Sequence, residues 1–234
     1  MGDCRLQPRK NGKFMPIKPK LLAKKKSVEL AEIIGIMLGD GNCQVMKEKG
    51  IYQIRIIGHR ENDFDYLTNY TSGLFKKVFG TEFSIKFPKT GNAVVIFKQS
   101  KNLVHTLMHF GIKNGNKTTN GAAIPGWVLG KGGYLKACVR GLIDTDGSVY
   151  PKTRRHKTPT IWFATASPTI QSSITKAFKI LGYRVSKWTQ KKDRNTVQCS
   201  MGDSEEVLRY FTEIGFSNKK HINRFKKFCS APVV

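Results

Sequence analysis

Two hydrophobic patterns alternate along this chain, one with apolar residues every three or four positions and one with apolar and polar residues in turn. The first predicts amphipathic helices and the second predicts half-buried strands. The elements predicted for the first half are a helix between Ser27 and Gly41, a strand at Tyr52–Ile57, a helix at about 61–79, strands at 83–87 and 94–97 joined through Gly91-Asn92, and a helix at about 101–110. In the strand at 83–87, Phe83, Ile85 and Phe87 are expected to form a buried face.

The second half repeats this order of elements. Its predicted elements are a helix at Tyr134–Asp144 that Gly147 ends, a strand at Ile161–Thr165, a helix from Pro168 to Gly182, strands at Tyr183–Trp188 and Thr196–Met201, and a last long helix at Ser204–Ile214. Both halves read α-β-β-α-β-β-α, which predicts an α+β protein of two similar lobes. The predicted organisation is a basic extension at 1–26, a first repeat at 27–112, a linker at 113–132 and a second repeat at 133–234.

The first helix of each half ends in a similar motif, IIGIMLGDG at 33–41 and VRGLIDTDG at 139–147. Each motif ends in Asp-Gly, so Asp40 and Asp146 lie at helix C-termini, where the negative end of the helix dipole disfavours a carboxylate. If the two helices also pack together, the two carboxylates repel each other. A divalent cation would relieve both penalties, and the pair therefore predicts a metal site on a pseudo-two-fold axis.

Small residues in the same helices favour this packing. Gly35 and Gly39 in the first motif, and Gly141 in the second, allow two helix backbones to approach closely. Close approach of the helices is what would bring the two aspartates together.

The charge of the chain indicates its class of partner. Lys and Arg total 41 against 16 Asp and Glu, a formal net charge of +25. Such an excess is self-repulsive unless a polyanion is bound, and nucleic acid is the usual polyanion. A basic protein of ribosomal type is the alternative, and an anionic membrane is less favoured because no long amphipathic basic helix stands out. The extension at 1–26 is either a solvated leader or an arm along DNA phosphates.

Cysteine usage and hydropathy indicate an intracellular protein. The five cysteines are widely scattered and form no CxxC motif, which favours reduced thiols and argues against a zinc module. No apolar run reaches transmembrane length, and the N-terminus shows no apolar core of a signal peptide. We expect a cytoplasmic or organellar location, with no membrane partner. His105 and His109 lack the glutamate of a zinc-protease helix and are expected to be ordinary helix residues.

The two motifs and their repeat order resemble those of the LAGLIDADG homing endonucleases in their single-chain, two-repeat form. The resemblance extends over about residues 27–228. It implies a saddle of two antiparallel sheets in the DNA major groove, with the motif helices at the lobe interface. It also implies that Asp40 and Asp146 bind Mg²⁺ (or Mn²⁺), with the backbone carbonyls of Gly39 and Thr145 as additional ligands.

The resemblance nominates further residues around the metal site. Family enzymes often carry a lysine after the last helix of each repeat. The resemblance therefore implies Lys117 in the first repeat, and in the second repeat it favours Lys220 over Lys219. Such a lysine would stabilise charge or polarise water. His59 resembles a position that orients a water molecule, and Ser167 is its weaker counterpart. Their alternative role is structural.

The first motif departs from the family pattern at one position, because Leu38 stands where the second motif has Asp144. That earlier acidic position is not the metal ligand in the family. We therefore expect Asp144 to be a polar group at the helix end or the lobe interface.

Polar strand faces are the candidates for DNA recognition, because Arg and Gln side chains can pair bidentately with guanine and adenine. The candidates are Gln53, Arg55, Ser84 and Lys86 in the first lobe and Arg184, Ser186 and Gln198 in the second. Lys152, Arg154 and Arg155 lie in a basic loop that is expected to contact phosphates. Solvation alone would also account for polar strand faces.

The sequence thus predicts a monomeric, Mg²⁺-dependent endonuclease that cuts both strands of a long, asymmetric DNA target and is encoded by a mobile intron or a free-standing gene. Two alternatives remain open. One is an RNA-splicing maturase on the same scaffold with intron RNA as its partner, and the other is a DNA-binding regulator without catalysis.

Overall fold

A computed structural model of the chain describes residues 19–151, 158–190 and 195–229. The first repeat contains α1 (Val28–Leu38), β1 (Gly41–Met46), a 3₁₀ turn (Lys47–Lys49), β2 (Ile51–His59), a π-helical segment (Tyr66–Thr71) that continues into α2 (Ser72–Phe79), β3 (Ser84–Lys86), β4 (Ala93–Gln99) and α3 (Lys101–His109). A short helix, α4 (Gly126–Leu129), lies between the repeats. The second repeat contains α5 (Gly132–Asp146), β5 (Gly147–Pro151), β6 (Pro159–Thr165), α6 (Pro168–Ile180), β7 (Thr189–Gln190), β8 (Val197–Met201), α7 (Ser204–Glu213) and α8 (Lys219–Cys229).

Each repeat forms one antiparallel sheet with the same strand order. The order is β1-β2-β4-β3 in the first repeat and β5-β6-β8-β7 in the second. One face of each sheet packs on helices through a row of buried apolar residues, among them Ile54 and Ile56 on β2 and Phe163 on β6. The opposite faces carry the partly exposed side chains. The predicted α+β fold of two similar lobes is therefore confirmed.

The lobes meet where α1 packs against α5. A methyl group at Gly35 would overlap the carbonyl oxygen of Cys138 on α5. A methyl group at Gly141 would lie 2.5 Å from the carbonyl oxygen of Glu32 on α1. The two backbones are therefore in direct contact, as the small residues of the motifs predicted.

A buried ion pair crosses the same interface. The Glu32 carboxylate on α1 is 2% exposed and accepts hydrogen bonds from both Nε and a terminal nitrogen of Arg140 on α5, at 3.1 and 2.5 Å. Tyr70 and Ser217 also donate hydroxyl hydrogens to Glu32, at 2.6 and 3.0 Å. A buried carboxylate satisfied by four donors from separate segments fixes the relative orientation of those segments.

Helix boundaries follow the local signals with small shifts. Ser27 caps α1 by accepting a hydrogen bond from the Leu30 N–H, as predicted. The cap at the other end is Gly39, whose N–H bonds to the Gly35 carbonyl, whereas Gly41 already belongs to β1. The prediction that Gly41 ends the helix was therefore wrong by two residues, because the sheet already starts at Gly41, the last residue of the motif.

Two predictions about strands were wrong. Residues 183–188 form no strand, although the Ser186 N–H donates to the Ser200 carbonyl at 2.8 Å, and the short strand β7 begins only at Thr189. In the first lobe, Ile85 and Phe87 are 46% and 43% exposed rather than buried. Because β3 is an edge strand of three residues, its alternating pattern is not covered by a helix.

The predicted order has two strands after each motif helix, but the sequence analysis assigned residues to only one of them, and it did not predict α4 or α8. Strands β1 and β5 begin at the glycine of each Asp-Gly motif, and their mixed composition gives only a weak alternating signal. Helix α4 has only four residues, and α8 is so rich in Lys and Arg that its apolar positions are inconspicuous. No helix among the described residues is long and apolar enough to cross a bilayer. Cys43, Cys138 and Cys199 are buried free thiols.

Candidate active site

The C-termini of α1 and α5 lie side by side at the lobe interface. Asp40 directly follows the cap of α1, and Asp146 is the last residue of α5. A Cβ atom at Gly39 would lie 3.6 Å from the Asp146 carboxyl carbon and would overlap the Thr145 hydroxyl. The fold thus brings the two motif aspartates together, and each carries its carboxylate at the negative end of a helix.

The two carboxyl groups destabilise each other's ionised form. Burial and the nearby Asp146 charge raise the pKa of Asp40, and burial raises the pKa of Asp146. In the described part of the chain, no hydrogen bond or ion pair within 4.0 Å satisfies either carboxylate. Among the described residues, the two carboxylates thus have no counter-ion in contact, and a bound divalent cation would relieve their repulsion.

Backbone carbonyls complete the oxygen donors that the site can offer. Gly39 and Thr145 lie at helix C-termini, where carbonyl groups lack intrahelical partners. Carboxylates and carbonyls are the ligands that Mg²⁺ and other hard cations prefer. Among the described residues no cluster of three His, Cys, Asp or Glu side chains forms an alternative metal site. The residues present therefore fit a hard divalent cation held by two carboxylates and backbone oxygens.

Two lysines flank the carboxylate pair. Burial lowers the pKa of the Lys117 ammonium, while the charges of Asp146 and Asp40 act against this shift. The charge of Lys220 also acts on Asp40. Lys219, in contrast, points to solvent and pairs with the exposed carboxylate of Asp65 at 3.0 Å. Lys117 therefore lies near both aspartates and Lys220 near Asp40, whereas Lys219 pairs elsewhere.

Asp63 and Asn218 were missed by the sequence reasoning. The Asp63 carboxylate is buried in the lobe interface, 2.7 Å from the Lys220 ammonium and 2.9 Å from the Asn218 side-chain nitrogen. Its charge also acts on Asp40. The sequence signal was weak, because Asp63 lies in the first turn of the helix predicted at about 61–79, where an acidic residue is common.

The structure gives His59 and Ser167 structural contacts. The His59 ring lies 3.1 and 3.3 Å from the side-chain nitrogens of Asn62 and Asn92, at the exposed end of β2. Ser167 caps α6, and its hydroxyl donates to the Lys117 carbonyl at 3.0 Å. His59 thus closes a turn, whereas Ser167 links the second lobe to the segment that carries Lys117.

A groove opens on each of the two sheets. The first has a volume of about 450 Å³, and its lining includes Gln44 and Arg55 from the sheet and Lys117 from the linker. The second has a volume of about 390 Å³, and its lining includes Asp146, Trp162 and Gln198. Both grooves lie on the sheet faces that the helices leave uncovered.

The strand register shows which predicted DNA-contacting residues share these faces. Arg55 and Ser84 both pair with Phe97, and Gln53 lies two residues from Arg55, so these side chains lie on one face of the first sheet. Lys86 lies two residues from Ser84 on the same face. The four candidates of the first lobe are thus brought together.

The second-lobe candidates are more scattered. Gln198 lines the groove beside Asp146, and the Ser186 hydroxyl accepts a hydrogen bond from the Ser200 N–H at 2.9 Å. Arg184 is drawn to the N-terminus of α7, where its Nε atom lies 3.1 Å from Glu206. Lys152, Arg154 and Arg155 lie outside the described residues.

Asp144 is a buried group of the interface, as expected. It accepts a hydrogen bond from the Ser217 N–H at 2.8 Å through one carboxylate oxygen, while the other oxygen has no partner in the described part of the chain. Burial raises the pKa of Asp144 to about 7, although the bonds from Ser217 and Asn218 oppose this rise.

The raised pKa of Asp144 predicts a pH-dependent effect of Asp144→Asn. The folded state keeps the proton up to about pH 7 and the unfolded chain only to about pH 4, so wild-type stability falls as pH rises between these values. In chelator, we expect Asp144→Asn to be more stable than the wild type at about pH 8, with the difference shrinking at about pH 5. Urea unfolding at both pH values measures this. A variant that is less stable at the higher pH would contradict it.

Comparisons of the sequence and the fold with known proteins find similar proteins. Residues 133–215 match the family model of the LAGLIDADG-like domain. The structure of I-DmoI in complex with DNA and Mn superposes with a TM-score of 0.59 at 15% identity, covering 81% of this chain and 97% of that one. The second repeat thus matches the LAGLIDADG-like domain, and the whole chain shares the fold of I-DmoI.

Other solved structures share this LAGLIDADG fold. The meganuclease I-SmaMI bound to uncleaveable DNA matches with a TM-score of 0.56 at 10% identity, over 86% of this chain and 88% of that one. Full-length DUF199/WhiA from Thermatoga maritima matches with a TM-score of 0.55 at 15% identity, over 89% of this chain and 62% of that one. No curated protein matches the sequence significantly. At these identities the structural matches establish the LAGLIDADG fold, and the chemistry has to be argued from the site itself.

Proposed function

We propose that this LAGLIDADG protein is a site-specific endonuclease that hydrolyses both strands of a DNA duplex with Mg²⁺ or Mn²⁺. The observation that carries the proposal is the pair of half-buried carboxylates, Asp40 and Asp146, which come together near Lys117 and Lys220 and have no contacting counter-ion among the described residues. A protein that only bound DNA would gain nothing from this arrangement, because two repelling and partly desolvated carboxylates cost stability.

The two open sheet faces support duplex DNA as the substrate. Each repeat offers a groove lined by polar side chains, with Arg55 in the first and Gln198 in the second. The formal charge of +25 supplies the attraction to phosphates. Because the two grooves differ in their lining, the target is expected to be asymmetric. Both repeats lie in one chain, so we propose that the enzyme acts as a monomer.

The chain's own residues provide a chemical framework for hydrolysis. Asp40 and Asp146 would hold the divalent cation, with the Gly39 and Thr145 carbonyls as further ligands. When bound, such a cation would activate water and neutralise charge on the phosphate and the leaving oxygen. Lys117 and Lys220 would stabilise the negative charge that grows on the phosphate in the transition state. His59 stays a candidate for orienting water if its turn opens when DNA binds.

A cleavage screen tests the proposal. A randomised duplex library is incubated with the full-length protein and Mg²⁺ or Mn²⁺, and linear products are sequenced. We expect recurrent cut sites that disappear in chelator. Binding of duplex DNA without cutting would favour the non-catalytic regulator, and preferential binding of folded intron RNA would favour the maturase.

DNA affinity should depend steeply on salt. If the protein neutralises roughly six or more phosphates, the association constant should fall about a thousandfold between about 50 and 200 mM salt. Fluorescence anisotropy with a labelled target measures this slope. A flat salt dependence would contradict the electrostatic mode of binding.

Arg55→Ala is expected to weaken binding to the preferred target more than to a random duplex, because Arg55 faces the groove. The same anisotropy assay with both duplexes measures this difference.

A further inference from the structure

We propose that Asp63 is a positioning residue, which holds the Lys220 ammonium across the lobe interface beside Asp40 and thereby supports cleavage of one DNA strand. This inference rests on the proposed endonuclease function. It assigns a role to a residue that contacts none of the expected metal ligands directly.

Three hydrogen bonds hold the Asp63 carboxylate at the lobe interface. One carboxylate oxygen accepts from the Lys220 ammonium at 2.7 Å and from the Asn218 side-chain nitrogen at 2.9 Å. The other oxygen accepts from the His59 N–H at 2.9 Å. Asn218 and Lys220 belong to the second repeat, whereas Asp63 and His59 belong to the first. The carboxylate therefore joins the two lobes at the edge of the site.

The contact between Asp63 and Lys220 is largely buried and closely packed. The Lys220 side chain is only 16% exposed and that of Asp63 only 10%. A Cβ atom at Gly58 would lie 2.8 Å from the Asp63 Cβ, so the absence of a side chain at Gly58 leaves room for Asp63 against β2. A lysine normally has considerable rotamer freedom, and a buried carboxylate in contact with its ammonium removes that freedom before DNA binds.

The second repeat lacks this anchor at the matching position. Asp63 precedes the helical segment of its repeat and accepts the Leu67 N–H at its carbonyl, just as Ser167 precedes α6 and accepts the Gln171 N–H. Ser167 is neutral, and it contacts the backbone of Lys117 rather than its ammonium. The two lysines therefore lie in different environments: a carboxylate holds the Lys220 ammonium, whereas Lys117 is half-buried and has no such partner in the described part of the chain.

The asymmetry predicts a strand-specific defect. In Asp63→Asn the amide keeps the size and one acceptor oxygen but loses the charge that holds Lys220. We expect cleavage of one strand to slow on the order of tenfold, the other strand to be cut at the wild-type rate, and nicked DNA to accumulate. Lys220→Met should slow the same strand. The double variant should be no slower than Lys220→Met alone, because Asp63 acts through Lys220.

A matched control is available in the neighbouring ion pair. Asp65 and Lys219 join the same two segments at 3.0 Å but are exposed. Asp65→Asn should therefore leave both strands cut normally. Asp63→Ser, which introduces the helix-capping residue of the second repeat, is a second variant should Asp63→Asn fail to fold, and it should give the same strand-specific defect.

A second readout needs neither metal nor DNA. In the metal-free protein, the ¹⁵N signal of the Lys220 ammonium, identified by its loss in Lys220→Met, should be visible in wild type and in Asp65→Asn but be broadened away by rapid exchange in the Asp63 variants. Equal slowing of both strands, multiplicative effects in the double variant, or an unchanged ammonium signal would each overturn the role of Asp63. If the wild type cuts no DNA, the proposed function fails, and the ammonium signal still decides whether Asp63 anchors Lys220.

Discussion

Replacing Asp40 or Asp146 with asparagine is expected to reduce DNA cleavage on the order of a thousandfold or more, while the affinity for the target without metal stays close to that of wild type. Asparagine keeps the shape of the side chain but removes the negative charge that would bind the cation. The polar sheet faces, which would contact DNA, are unchanged. Strand cleavage is followed on a labelled target found in the library screen, and binding is measured in Ca²⁺ or chelator.

The same variants should be more stable than wild type in the absence of metal. Burial, together with the Asp146 charge in the case of Asp40, raises the pKa of both carboxyls, so their ionised forms are less stable in the folded state than in the unfolded state. The stability of metal-free wild type therefore falls as pH rises above the unfolded pKa. At neutral pH an amide at either position removes one of two repelling charges. Thermal unfolding in chelator should show a higher Tm for each variant.

These two measurements together separate catalysis from folding. Loss of cleavage with a raised Tm and intact binding is the result expected if the aspartates are metal ligands. The wild type alone should gain stability when Mg²⁺ or Mn²⁺ is added. Normal cutting by both variants would disprove the proposed mechanism, and a lowered Tm in chelator would show that the carboxylates stabilise the fold.

Gly35→Ala should cause a large loss of stability. The added methyl group would overlap the carbonyl oxygen of Cys138, which is backbone and cannot rotate away. The helices α1 and α5 would have to separate, and overpacking of this kind costs about 1–3 kcal/mol or more. Separation would also move Asp40 away from Asp146. We therefore expect loss of metal-dependent cleavage even at temperatures where the variant stays folded.

Gly73→Ala is the matched control. Gly73 lies within α2, and a Cβ atom there would meet nothing within 4 Å. Alanine in this helix should stabilise the protein by up to about 1 kcal/mol, because it restricts the unfolded chain and favours the helix. Urea unfolding of both variants measures the contrast. Equal effects of the two substitutions would contradict direct backbone contact between α1 and α5.

The core of the fold was predictable wherever a local signal was strong. The apolar spacing of α1 and α5, the Ser27 cap and the glycines of the motifs gave the two central helices and their packing. Prediction from the hydrophobic pattern failed where the position of a strand in the sheet determined the burial or pairing of its residues. Ile85 and Phe87 alternate like buried residues but lie on an edge strand, and β1 is held in the sheet by pairing with β2 rather than by its own composition.

The sequence by itself determined the repeat, the paired Asp40 and Asp146, the close helix approach and the basic character of the chain. Each of these depends on spacing or composition within one short segment. Only the tertiary structure distinguished Lys220 from Lys219, because these sequence neighbours differ in the partner that each meets across the interface. It also revealed Asp63, whose proposed role depends on a contact with Lys220 that bridges two repeats, and no local pattern encodes such a contact.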